Sequence, residues 1–274
     1  MQKLMINELA DALCINQSED LELVFDGQEQ LSLNLTISDN VNTNVVVLVQ
    51  KASDLNLHVE CGAYSNVNLF VMNESSSHTS MNINGNVHEM ALCTVSFAEF
   101  NEASTTVSSN IMLIGRGAQC EMNSAVLSKG EKQLVTAIIH ENLETKSMMN
   151  HSGVLLEGGK LHLDATGKIV KGAKGSKSHQ KSRALTFDQP KYATVLPQLL
   201  IDENDVEASH ATTVGQIDEN QMYYLQSRGL TKNEATQLIT LGALMPIAEV
   251  LSDVTLKAQM KEKIEAKVNQ VCSM

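Results

Sequence analysis

The sequence predicts a mainly β chain that closes on a helical segment, and three observations carry that reading. Apolar residues alternate with period two from about residue 20 to residue 200. After residue 217 the apolar period becomes helical. The composition is poor in rings, with no Trp and 3% aromatic residues. A flat, stacked interior of medium aliphatic residues does without the large rings that usually plug a sandwich.

With 274 residues, the chain suits one large domain, or one domain with a terminal appendage. A formal charge of −12 argues against nucleic acid as a partner, because such proteins need clustered Lys and Arg to displace counterions. No stretch approaches the roughly 20 apolar residues that cross a bilayer, so no membrane partner is expected. The first eight residues carry Glu8 where a signal peptide would have its apolar run, and a cytoplasmic protein is expected. Cys14, Cys61, Cys93, Cys120 and Cys272 stand singly, with no CxxC pair. That is neither a disulfide framework nor a zinc pattern, and it reads as small core residues.

Residues 2–14 read as a short amphipathic helix, with Leu4, Met5, Leu9, Ala12 and Leu13 on one face, capping whatever follows (residues 1–19). The period-two segments begin at Leu21–Phe25 and Leu31–Ile37 and recur through Gln133–Ile138. Their spacing of roughly 8–12 residues allows a sandwich, a barrel or a β-helix. Outward positions rich in Asn, Ser and Thr, as in Met81-Asn82-Ile83-Asn84, suit stacked polar ladders. Strong hairpin dipeptides are scarce, Asn84-Gly85 being the one example, which also favours a β-helix. No clean fixed-length repeat is visible. Residues 171–183 form the one strongly basic stretch; they lack P-loop spacing and read as a solvated turn.

The helical unit starts at Asp218, an N-cap with Gln221 as its box partner, and stops at Gly229. Thr231 caps a second helix with Glu234, and a third spans roughly Pro246 to Val271. The expected division is a core over 20–215 and a helical domain over 216–274.

Residues 190–242 contain a Pro-x-Leu strand, an acidic turn at Asn204-Asp205-Val206, Ser209-His210, Ala211-Thr212-Thr213-Val214-Gly215-Gln216-Ile217-Asp218, and Tyr223-Tyr224-Leu225-Gln226-Ser227-Arg228-Gly229. This ordered set resembles the SufB/SufD family, and its wording is nearer SufD. The resemblance covers about the last half of the chain and extends upstream through Gly153-Val154-Leu155 and Gly167-Lys168-Ile169. It implies a right-handed parallel β-helix followed by a C-terminal helical domain. Because family members are commonly longer, the chain reads as a shortened form.

The resemblance also implies a non-enzymatic scaffold of iron–sulfur cluster assembly. Its partners would be a SufC-like ABC ATPase and a SufB-like subunit, or a second copy in a homodimer, joined at the C-terminal end of the β-helix. No tightly bound cofactor is expected, only transient iron or an iron–sulfur cluster. His210 is the candidate iron ligand, with Glu207 a weaker one. Where SufD often has Cys, this chain has Ala208, and where SufB has Glu after the His it has Ala211. Clusters favour thiolates, so an independent site in this chain is not expected. Tyr223, Arg228, Leu230 and Thr231 are candidates for the ATPase interface. Two other readings stand beside this one: a structural paralogue that dimerises without assembling clusters, and a carbohydrate-active β-helix enzyme. The second needs aromatic platforms and secretion, and the chain has no Trp.

Overall fold

The chain winds as a parallel β-helix with three α-helices folded back along one side. A computed structural model describes residues 2–6, 12–26, 30–51, 54–187, 192–251 and 253–272. Each coil gives one strand to each of two sheets. The first sheet holds β1 (Gln2–Ile6), β3 (Leu21–Phe25), β5 (Asn42–Val49), β7 (Asn66–Asn73), β9 (Leu92–Glu99), β11 (Gln119–Ser128), β13 (Lys146–Leu155), β15 (Ser176–Thr186) and β17 (Val206–Gln216), in that spatial order. The second holds β2 (Ala12–Ile15), β4 (Gln30–Ile37), β6 (Asp54–Cys61), β8 (Thr79–Val87), β10 (Thr105–Leu113), β12 (Glu131–His140), β14 (Lys160–Ile169) and β16 (Ala193–Ile201). Neighbours within each sheet run parallel and in register, so one interior residue stacks on the next.

The first coil corrects the expected N-terminal helix. Gln2–Ile6 pairs with Leu21–Phe25, and Ala12–Ile15 pairs with Asn34–Ile37, so both pieces are strands and the β-helix begins before residue 20. Residues 7–11, where the helical pattern continued, lie outside the described residues.

The missing sequence repeat has a geometric cause: the coils lengthen along the chain. Asn44 sits over Asp20, 24 residues back; Asn82 over Asn56, 26 back; Asn150 over Asn123, 27 back; and Ser178 over Ser147, 31 back. Register is kept within the strands, and the extra residues go to the corners.

The interior is aliphatic in the early coils, with rows such as Leu31–Leu55–Met81–Val107. Its character changes farther along. Ser124, Thr136, His140, Ser147, His151, Ser178, Gln180 and Ser182 are all buried. His151 bonds Ser124 Oγ through Nδ1 at 2.8 Å and Thr136 Oγ1 through Nε2 at 3.3 Å. His140 bonds Thr145 Oγ1 and Ser147 Oγ, each at 2.8 Å. Burial pushes both imidazoles down to about 4, so they are neutral near pH 7.

A second core lies outside the first sheet. Val46, Leu48, Phe70, Met72, Phe100 and Leu127 point away from the interior and are buried by Leu244, Ile247, Leu251, Leu256, Met260, Ile264 and Val268. The helices responsible are α2 (Lys232–Leu244) and α3 (Val254–Cys272), linked by a 3₁₀ segment at Met245–Val250. Lys263 Nζ fastens α3 to Glu74 of the strand layer at 2.8 Å. The helical unit is therefore a cover over the β-helix rather than an appendage beyond it. The expected third helix divides, with the 3₁₀ segment opening at Met245-Pro246 and the α-helix starting at Val254.

Candidate functional site

The C-terminal end of the β-helix is where the polar interior meets solvent. Among the described residues no further coil stacks on β16 and β17, which are the last strands of their sheets. Exposure rises accordingly: Leu196 is 44% exposed, Leu200 48%, Ile201 40% and Val214 38%. Isolated apolar residues on a surface mean little, but this set shares one open strand layer with unpaired backbone groups.

His210 lies in β17 and faces inward. It is in register with Gln180, which is in register with Met149, so His210 ends an interior row that descends through Met122. Being last in the row, it is exposed. The next interior row runs Cys93–Cys120–Ser147–Ser178–Ala208. Ala208, where the resemblance would allow a thiol, thus sits beside His210 on the same face, two residues along.

Glu207 is three residues from His210, an odd separation, so it faces the other side of the strand. There Lys177 Nζ holds Glu207 Oε2 at 2.7 Å, and His179 Nε2 lies 3.6 Å from Oε1. The hydrogen bond from Lys177, helped by its charge, draws the Glu207 carboxyl below the ordinary carboxylate range. The structure does not bring His210 and Glu207 together.

Cys61, Cys93 and Cys120 are 1% exposed and gather at one interior corner. Mutual hydrogen bonding and burial push the Cys61 thiol well up, and burial does the same for Cys120. Cys61 and Cys120 are therefore protonated thiols, poor nucleophiles and poor ligands as they stand. Among the described residues, no group of three or more His, Cys, Asp or Glu converges where a metal ion could sit. Among the described residues, His210 thus stands exposed at the open end without two further His, Cys, Asp or Glu side chains gathered round it.

The expected ATPase-facing residues cluster on the first two helices. α1 (Glu219–Ser227) is capped by Asp218, whose Oδ1 accepts from Asn220 N at 2.9 Å. Gln221 was the expected box partner, and the cap bond goes instead to the backbone of Asn220. Arg228 closes α1 and lies over the Tyr224 ring, 5.2 Å from its centroid. Gly229, at φ +97°, makes the left-handed turn that a residue with a Cβ resists. Tyr223 is 74% exposed. Thr231 is committed to the α2 capping box with Glu234, as expected; Tyr223 and Arg228 are exposed beside it, and Leu230 is half-buried. Between this patch and β15–β17 lies a groove of about 420 Å³ lined by Arg183, Leu185, Gln216, Leu225 and Leu238. No helix is long and apolar enough to cross a membrane among the described residues.

Residues 27–243 match the family described as SUF system FeS cluster assembly, SufBD core domain, and the chain belongs to that family. Among individual relatives, the iron–sulfur cluster assembly protein SufD of Bacillus subtilis is 34% identical over 170 residues, covering 61% of this chain and 39% of that protein. A SufBD family protein of Mycobacterium tuberculosis is 32% identical over 143 residues, 52% of this chain and 17% of the relative. One from Staphylococcus epidermidis is 28% identical over 144 residues, 52% of this chain and 31% of the relative. The matched segment thus spans well under half the length of each relative.

Proposed function

We propose that the chain is a SufD-like scaffold subunit of iron–sulfur cluster assembly, cytoplasmic and without catalytic activity of its own. It pairs through the open end of its β-helix with a SufB-like chain or a second copy of itself. Its helical cover docks a SufC-like ABC ATPase through Tyr223, Arg228 and Leu230. No cofactor is held tightly; iron or a nascent cluster is cargo, touched by His210 while the partner supplies the remaining ligands. The observation that carries this reading is the open end itself: an inward histidine, a polar interior beneath it, and two unpaired edges rimmed by Leu196, Leu200, Ile201 and Val214. An isolated ligand on an unfinished sheet is half a site.

The test is co-expression with a SufB-like chain and a SufC-like ATPase, followed by size-exclusion chromatography. Co-elution is expected, and Leu200→Glu is expected to release the SufB-like chain while the ATPase stays bound. Failure of the parent chain to co-elute with either partner, and to self-associate, would refute the proposal.

A further inference from the structure

We propose that Gln180 is a positioning residue for His210: its side-chain oxygen accepts the N–H of one imidazole nitrogen and so presents the other nitrogen's lone pair to an incoming metal ion. The inference rests on the ligand role given to His210 above.

Gln180 lies one coil beneath His210, in register with it on the same inward face. It is 3% exposed. Its Nε2 donates to the backbone oxygen of Gln198 across the interior at 2.9 Å. A backbone carbonyl only accepts, so that bond fixes which way the amide is turned. The other end, Oε1, is buried and has no hydrogen-bond partner. Buried amide oxygens are normally satisfied, and one without a partner invites a functional explanation.

The space around the amide is also specific. Gly167 stands opposite, and a Cβ there would come within 2.5 Å of Ser178 Oγ and 3.0 Å of Gln180 Nε2. The fold therefore keeps a gap in which this amide can lie. Residues in register on adjacent parallel strands are about 4.8 Å apart, which sets the His210 side chain directly over the Gln180 amide. The neighbouring inward groups, Ser178, Ser182 and Thr212, are hydroxyls, which donate as readily as they accept and do not select a tautomer. An amide oxygen only accepts, so Gln180 alone selects one.

Metal-bound histidines commonly give their second N–H to a carboxylate or carbonyl, and the partner tunes how firmly the metal is held. A neutral amide oxygen strengthens the imidazole less than a carboxylate does. That suits a ligand that must let its cargo go.

The experiment uses the full chain, free of metal, with histidine long-range nitrogen–proton NMR to read the His210 tautomer. The SufB-like chain that supplies the remaining ligands is then added, followed by Co(II), and the paramagnetic shift of the His210 ring is read in the complex. The parent protein is expected to show one neutral tautomer. Gln180→Met should show a mixture and bind Co(II) about ten- to a hundred-fold more weakly. Gln180→Glu keeps an acceptor at the same reach and should retain the single tautomer, which also covers the case in which Gln180→Met fails to fold. The proposal is overturned if Gln180→Met leaves tautomer and Co(II) affinity unchanged, or if Gln180→Glu shows a mixture. A His210→Ala control separates the two readings: unchanged Co(II) binding there removes the ligand role of His210, while the tautomer still decides the part played by Gln180.

Discussion

Replacing Lys132 with Met is expected to cost the β-helix about 3–5 kcal/mol at neutral pH, the range for breaking a buried ion pair from one side. Lys132 and Glu99 are both fully buried, with Nζ 3.6 Å from Glu99 Oε2. The ammonium group donates to Asn101 Oδ1 at 2.6 Å, to the Ala103 backbone oxygen at 2.7 Å and to Thr105 Oγ1 at 2.9 Å. Methionine matches much of the volume but leaves the first two acceptors without this donor and strands the Glu99 charge. Desolvation already raises the Glu99 pKa, and the charge of Lys132 is the strongest opposing influence, so its loss raises that pKa further. A carboxyl with a raised folded pKa binds its proton more tightly in the folded chain. Stability is then lost as pH rises through the window between unfolded and folded values and regained as pH falls. The penalty should therefore be largest near pH 7 and shrink in mild acid. Adding Glu99→Gln to Lys132→Met should recover at least half of it. Urea unfolding followed by circular dichroism at two pH values measures all three quantities. A single-variant loss below about 1 kcal/mol, or a double variant no better than the single, would refute the reasoning.

The two buried imidazoles give the opposite pH dependence. With folded values of about 4 against an ordinary 6.5, His140 and His151 each contribute stability that is lost as pH falls through that window, up to about 3 kcal/mol apiece; His151→Leu should flatten the urea midpoint's dependence on pH between those limits. Ile264 is fully buried between α3 and the first sheet. Ile264→Ala should cost about 2–4 kcal/mol in the same assay, and a loss under 1 kcal/mol would mean that the cover does not bear on the strands.

The strands were legible because one face of each meets a closed interior, and their alternation survives wherever the other face is wet. Legibility failed where that condition failed. Val45-Val46-Val47-Leu48-Val49 is an unbroken apolar run because β5 is buried on both sides, inside by its own coil and outside by the helical cover. That run was the available signal that something packs on the first sheet. The N-terminal segment misled for a different reason: Leu4, Met5, Leu9, Ala12 and Leu13 fit a helix as well as two short strands, and pairing with Leu21–Phe25 decides between them. At the candidate site, the ordered run through Ser209-His210 located His210 at the open end. Gln180 lies thirty residues away and is brought under His210 only by coil register, which no local pattern encodes. The separation of Glu207 from His210 was legible, since three residues along a strand always puts two side chains on opposite faces.

A solenoid is close to a one-dimensional object: each turn touches only its neighbours, and melting can begin at either end and run inward. The packing of α2 and α3 on β5 through β13 breaks that rule here, because the two helices touch several turns at once and Lys263 reaches back 189 residues to Glu74. Turns that would otherwise fray one by one are made to open together or not at all. A load on these helices is then shared among those turns rather than borne by one.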